Sequence, residues 1–332
     1  MTLEPPVLRD IVPIDRVWDR LEAVERRLYE VTESKHPFVT EIAQHLLGGG
    51  KRYRPLLAQV AAELGGATGD DPVEAGVAVE LIHVGSLYHD DVIDEAESRR
   101  GKASVNANWT NTVAILAGDF LLARASEIAA PLGTEAVALL ARTYAQLCEG
   151  QVLELQLADD LSHGPDDYFR VIEDKTASLI RTSARLGAMA GGADAGVVDA
   201  ATRWGNEVGL VFQLTDDVLD LVATQAFIGK PAGSDIGEGT FTLPVLYALD
   251  GPDGDRIRDL LDGGHPYERE TIDEVIDLVR SGGHIEAALA ESERHMALAA
   301  EAAAELPDGP VSSVLRSLGE YLVDRVALAR RA

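Results

Sequence analysis

The chain has 332 residues, 46% of them hydrophobic and 5% aromatic, enough to bury one large core or two smaller ones. Its formal net charge of −27 argues against nucleic acid as a partner, whose backbone needs a basic surface, and against broad attachment to anionic lipid. A single cysteine, Cys148, excludes an intrachain disulfide framework, and no apolar run approaches the ~20 residues of a transmembrane segment. The first residues lack the basic-then-apolar layout of a secretory signal, so we expect a cytoplasmic protein.

Val17, Leu21, Val24, Leu28 and Val31 step by four, three, four and three, the spacing of an amphipathic helix. A second helix is expected over Val39–Leu47, stopped by Gly48-Gly49-Gly50. The basic cluster Lys51-Arg52-Tyr53-Arg54-Pro55 follows, and glycines feeding cations into a helix start make a candidate anion site. Pro55–Leu64 and Pro72–Asp94 read as helices, the second ending in Asp90-Asp91-Val92-Ile93-Asp94. Positions i and i+4 share a helix face, so Asp90 and Asp94 project side by side one turn apart. Two carboxylates so placed repel each other unless a cation sits between them, and Mg²⁺ takes such oxygen ligands together with substrate phosphates. Arg99 and Arg100 follow, cations suited to bidentate phosphate contacts.

Helices over Val113–Ala129, Glu135–Leu157, Pro165–Met189 and Ala200–Val222 come next. The last contains Phe212-Gln213-Leu214-Thr215-Asp216-Asp217-Val218-Leu219-Asp220, a second DDxxD in an apolar helix. One such motif in so acidic a chain would be an ordinary solvated face. Two in the same context suggest acidic helices facing each other across a bundle, able to hold a cluster of Mg²⁺ on one diphosphate. Thr224–Pro244 is broken by Gly and Pro and reads as a loop carrying Lys230 and Asp235, a candidate lid. Helices near Tyr267–Arg280, Ile285–Leu306 and Val311–Arg330 close the chain and show no chemistry of their own. With scarce β-branched alternation, no solenoid repeat and no linker-like stretch, the expected fold is all-α: one large helical bundle, a single domain over 1–332.

The motifs GGGKRYRP, His83, DDVID with RRG, and FQLTDDVLD together resemble the trans-isoprenyl diphosphate synthases, or polyprenyl synthetases, from Gly48 to Pro244. The resemblance implies an all-helical, Mg²⁺-dependent homodimer that joins isopentenyl diphosphate to an allylic diphosphate. It implies Asp90, Asp91, Asp94, Asp216, Asp217 and Asp220 as the metal-binding aspartates, with Asp90, Asp94 and Asp216 as direct ligands. Lys51, Arg54, His83 and Arg100 would hold isopentenyl diphosphate. Arg99, Lys175 with Thr176, Gln213 and Lys230 would meet the allylic diphosphate. One departure stands out: the family often carries a lysine where this chain has Thr240.

The implied chemistry ionises the allylic C–O bond, and the isopentenyl double bond attacks the resulting cation. Water must be excluded, since it would quench that cation. Gly85 and Ser86 lie below the first motif, where the family's bulky aromatics stop chain growth. Both are small here, so we expect products longer than geranylgeranyl diphosphate, of the kind used in quinone side chains. The tunnel floor is assigned to the Val113–Ala129 helix, at Phe120 or Leu121, and Tyr88 to packing. A terpene cyclase is disfavoured because Asp220 and Thr224 stand where its second motif needs Ser or Thr and then Glu. Intact aspartates likewise disfavour a non-catalytic subunit.

Overall fold

A computed structural model of the protein describes residues 5–66, 68–224 and 231–331. Its main helices are α1 (Pro5–Ile11), α2 (Asp15–Val31), α3 (Pro37–Gln44), α4 (Tyr53–Ala62), α5 (Asp71–Ile93), α6 (Val105–Asn108), α7 (Asn111–Ala129) and α8 (Thr134–Leu157). There follow α9 (Pro165–Ile172), α10 (Ser178–Ala190) and α11 (Ala195–Val222). The last third is α12 (Ser234–Gly237), α13 (Leu243–Leu249), α14 (Gly254–Leu261), α15 (Arg269–Ser281), α16 (His284–Ala304) and α17 (Pro310–Ala329). Among the described residues the only sheet is a two-rung antiparallel ladder, Ser98 against Ala103 and Arg99 against Lys102, which turns the chain just after the first aspartate motif. The all-α expectation holds.

Three apolar clusters fill the bundle. One joins Leu81, Val84, Tyr88, Ala114, Leu121 and Leu147 where α5 packs against α7 and α8. A second joins Leu57, Ile180, Trp204, Leu318 and Leu322 between α4, α10, α11 and α17. The third lies beneath the second aspartate motif, with Leu214, Val218, Phe241, Leu246 and Ile276. Helix α5 is buried on nearly every side over Val73–Val84, which is why its apolar residues do not form one narrow stripe. Burying it stabilises the two-motif scaffold by roughly 1.5–3 kcal/mol per large side chain.

Two stretches depart from the expected helices. Pro165–Met189 is not one uniform helix: Glu173–Ala177 forms a π-helical turn between α9 and α10. Two glycines make room for it. A Cβ on Gly150 of α8 would lie 2.7 Å from the Lys175 backbone nitrogen, and one on Gly209 of α11 would lie 2.6 Å from Ala177 Cα. The second departure is that Leu243–Leu249 and Gly254–Leu261 are helices where the sequence offered none; both supply the third core through Leu246 and Ile257.

Candidate active site

The basic cluster before α4 divides into a structural and a functional half. Arg52 has a left-handed backbone (φ 52°) and is buried; its Nη1 donates to Glu80 Oε1 at 2.8 Å, and its other N–H groups bind Glu25 and the Leu47 carbonyl. It is fully used in fixing the loop. Arg54 is different: its buried Nε has no partner, and its Nη1 lies 3.4 Å from His83 Nε2. Burial, and after it Arg100, outweigh Glu80 and bring the Arg54 guanidinium down to about 10. His83 is pushed well below the ordinary histidine range by burial first, then by Arg54, Arg100, Arg52 and Arg99, so its ring is neutral. Arg100 is lowered as well, by burial and by Arg52, while Glu80 opposes the shift from 3.9 Å. Lys51 is exposed as a residue, but protein atoms crowd its ammonium, and these together with Arg325 depress it. Cations crowded by burial and by one another's charge around the single carboxylate of Glu80 make a receptor for a polyanion.

The first aspartate motif is split by helical phase. Asp90 and Asp94 face the cleft, where Asp94 joins Lys175, Glu154, Gln213 and Asp217 in lining a cavity of about 580 Å³. Asp90 is raised to about 6, chiefly by burial, with Lys175 opposing and Asp94 adding to the shift. Asp91 points the other way. It is fully buried, its Oδ1 accepts Arg99 Nε at 2.6 Å, and its carbonyl accepts the Ala96 N–H at 2.9 Å and Asn106 at 3.0 Å. Of the three aspartates, Asp91 is the one that orients Arg99.

The second motif divides otherwise. Asp216 is exposed, with Arg325 Nη2 3.9 Å away. Asp217 is buried yet lines the cleft, where it accepts Tyr168 Oη at 2.6 Å and Gln213 Nε2 at 2.7 Å. Burial first, then Asp235, drive its carboxyl far above the ordinary range against those two donors. Thr176 donates to Gln213 Oε1 at 2.8 Å, so the π turn and α11 are linked through one amide, and α9 joins them through Tyr168 on Asp217. Asp220 is covered by the segment after α11, its carboxylate accepting the Asp235 N–H at 3.3 Å.

Lys175 leaves the π turn toward the cleft and pairs with Glu154. Burial opposes its charge, but Glu154, Asp90 and Asp94 outweigh burial and hold the ammonium above its ordinary value. Lys230 lies outside the described residues. Gly85 is packed rather than open: a Cβ there would meet Gly118 O and Leu122 Cγ, both at 3.3 Å. Its neighbour Ser86 is half-buried and donates to the His83 carbonyl at 2.9 Å. Leu121 is fully buried in the core, Phe120 lies beneath Arg124, and Tyr88 is a packing residue whose hydroxyl donates to the Ile42 carbonyl at 2.9 Å.

Sequence reasoning missed Arg325 and Glu154. Arg325 sits in α17, 4% exposed, with a buried Nε lacking a partner, between Asp216 and the crowded Lys51 ammonium. Its one signal was an arginine on the apolar face of a terminal helix.

Among the described residues, no three His, Cys, Asp or Glu side chains converge tightly enough to hold a metal unaided. The donors nevertheless fit Mg²⁺, which usually takes one or two protein carboxylates and completes its shell with water and phosphate. Asp90 carries the mark of such a site: burial and Asp94 raise its carboxyl, and a cation between the two would reverse both effects.

A sequence profile of the polyprenyl synthetase family, "Polyprenyl synthetase", matches residues 36–279. The nonaprenyl diphosphate synthase of Mycobacterium tuberculosis is 42% identical over 83% of this chain and 83% of its own. The crystal structure of a decaprenyl diphosphate synthase from Rhodobacter capsulatus superposes with a TM-score of 0.87 at 34% identity, over 97% of this chain and 99% of that one. The geranylgeranyl pyrophosphate synthase of Corynebacterium glutamicum, solved with calcium and isoprenyl diphosphate, gives 0.84 at 39% identity, over 98% and 99%.

Proposed function

The chain belongs to the polyprenyl synthetase family and is a prenyltransferase, and from that premise we propose that it extends an allylic diphosphate with isopentenyl diphosphate, head to tail, into a long all-trans polyprenyl diphosphate. The observation that carries this reading is the pair of unlike sites. A pocket of cations depressed by burial and by neighbouring cations (Lys51, Arg54, Arg100, with neutral His83) suits a diphosphate that must stay intact. The acidic cleft of Asp90, Asp94, Asp216 and Asp217 with Lys175 suits one that must leave.

When bound with the allylic diphosphate, Mg²⁺ would neutralise charge on the leaving group. Asp90 and Asp94 present carboxylates for it, and Asp216 and Asp217 offer a second edge, with Asp220 behind them under the Gly233–Asp235 backbone. Lys175 lies beside Asp90 and Asp94, where its charge meets the departing oxygens, and Asp91 keeps Arg99 near the same diphosphate. Gln213 and Thr176 hold Asp217 and the π turn in register. No side-chain nucleophile takes part. Ser86, rather than Gly85, borders the path left to the growing tail, because Gly118 and Leu122 occupy the space beside Gly85. Long products are supported by the small residue at Ser86 and by likeness to nonaprenyl and decaprenyl synthases. We assign the protein to a cytoplasmic homodimer. Ile115 and Leu116 of α7 and Val152 of α8 are 44%, 59% and 54% exposed, an apolar surface suited to a second copy. Among the described residues no helix is long and apolar enough to cross a membrane.

The test is incubation with Mg²⁺, labelled isopentenyl diphosphate and dimethylallyl, geranyl, farnesyl or geranylgeranyl diphosphate in turn, with products sized by mass spectrometry. Metal-dependent products beyond geranylgeranyl are expected, and Ser86→Phe shortens them. Products that stop at geranylgeranyl or below keep the reaction and refute the open path at Ser86. No turnover with any primer points instead to a subunit that needs a partner.

A further inference from the structure

The cleft wall carries a charged cluster that the proposed reaction does not use. Asp159 follows α8 with φ 59°, a left-handed backbone that is uncommon outside glycine. Its carboxylate collects three donors: the His265 backbone N–H at 3.0 Å and the Tyr267 hydroxyl at 3.0 Å on Oδ1, and the His265 ring Nδ1 at 2.7 Å on Oδ2. Its own N–H donates to the Gly239 carbonyl at 2.9 Å. Gly239, at φ 74°, permits the close approach, since a Cβ there would lie 2.6 Å from His265 Nδ1 and 2.7 Å from Asp159 Oδ1. Burial works to raise the Asp159 carboxyl, but the three donors outweigh it and keep the group below its ordinary range. Asp159 is therefore an acceptor only, and the proton between the two side chains sits on His265 Nδ1.

That leaves Nε2 as the ring nitrogen available to a ligand, on a residue that lines the cavity with its side chain 44% exposed. The surrounding wall is acidic, with Asp94, Glu95, Asp217, Asp235 and Glu238. Its basic groups among the described residues are Lys175, already paired with Glu154, and the histidines His163 and His265. Beside Gly239, Thr240 brings a hydroxyl and no charge. His163 spends its Nδ1 on the Asp160 carbonyl of its own loop at 2.6 Å.

We propose that His265, oriented by Asp159, binds the diphosphate of the allylic substrate through Nε2 and supplies at this wall the positive charge that Thr240 lacks. With Nδ1–H held by a carboxylate, the ring donates from Nε2 only when doubly protonated, and a diphosphate at Nε2 favours that form. This assignment rests on the proposed function, in which the cleft takes the allylic diphosphate.

The experiment is steady-state kinetics of the full chain with farnesyl and isopentenyl diphosphates varied separately. His265→Ala raises the KM for the allylic substrate about tenfold, the order of one charge-assisted hydrogen bond, and leaves the KM for isopentenyl diphosphate unchanged. His265→Gln, which keeps a donor toward Asp159, shows the same selective loss should the alanine variant fold poorly. Thr240→Lys in the His265→Ala background recovers the allylic KM, and His163→Ala moves neither constant. The inference is overturned by an unchanged allylic KM in both His265 variants, by equal rises in both constants, or by a double variant no better than the single one. Wild-type turnover judges the underlying reading separately: its absence sinks the proposed reaction, whereas turnover with indifferent His265 variants sinks only this assignment.

Discussion

The two DDxxD segments have the same spacing on two long helices, yet their side chains are used differently. On α5 the outer pair, Asp90 and Asp94, faces the cleft, and the middle Asp91 is buried against Arg99. On α11 the middle Asp217 faces the cleft under Tyr168 and Gln213, Asp216 is exposed near Arg325, and Asp220 is covered by the segment around Asp235. The difference comes from the path the chain takes on leaving each helix. After α5 the chain turns at once through the short ladder, which brings Arg99 back onto Asp91. After α11 the Gly233–Asp235 backbone returns onto Asp220, with Gly233 N–H bound to the Asp220 carbonyl at 2.9 Å. Spacing sets which carboxylates are neighbours; the next turn of chain decides which remain available.

The sharpest way to break this comparison is to replace the middle and outer aspartates one at a time. Asp90→Ala lowers kcat by roughly 10²–10³-fold, as loss of a transition-state charge partner does. Asp91→Asn acts only through Arg99 and lowers it about tenfold, on the scale of one charge-assisted hydrogen bond. Single-turnover rates at saturating Mg²⁺ separate the two, and equal losses would erase the distinction. On α11 the order reverses: Asp217→Asn costs about a hundredfold, more than its counterpart Asp91→Asn. A smaller effect is expected at Arg325→Leu, about tenfold in the KM for isopentenyl diphosphate with the allylic KM unchanged, because the Arg325 charge acts on the Lys51 ammonium. A change confined to the allylic KM would move Arg325 to the other site.

The smallest effect concerns a pair that joins α11 to α16 and does not line the cleft. Glu207 Oε2 meets His295 Nδ1 at 2.6 Å. Burial works to raise Glu207, but His295 and Asn206 outweigh it and lower the carboxyl from its ordinary 4.5. The unfolded chain therefore holds that proton more readily, so the stabilisation is full above about pH 4.5 and fades as pH falls through the lower folded value. Glu207→Gln should cost about 1 kcal/mol at pH 7 by urea unfolding. The gap between variant and wild type should narrow in acid, and a gap constant with pH would assign the loss to packing alone.

Much of the fold was legible in the sequence because helical spacing is local. The apolar steps from Val17 to Val31 and the i, i+4 pairs Asp90/Asp94 and Asp216/Asp220 follow from the chain alone. The features that could not be read depend on distant segments. Arg52 and Arg54 look alike in GGGKRYRP, and only the approach of Glu25 and Glu80 makes Arg52 structural. Gly85 looks like an opening until Gly118 of α7 packs against it. Arg325 reads as an ordinary residue of a terminal helix until α17 carries it to Asp216. Leu243–Leu261 is short and rich in breakers, so its two helices owe their stability to the core they cover.

The wide turn at Glu173–Ala177 acts as a phase shifter. An ordinary helix advances about 100° per residue, and a π turn takes up one extra residue within the same rod. Upstream, Tyr168 keeps its register against Asp217; downstream, Thr182 keeps its own against Thr143 at 2.6 Å. Between them, Lys175 and Thr176 are offset from both registers and turned to the cleft. The rod is thus geared in two halves, and the reactive residues sit on the turn between them, where Gly150 of α8 and Gly209 of α11 leave room for the wider backbone. Removing one residue there would let the halves rejoin as a plain helix, but only by rotating one of them about 100° out of mesh.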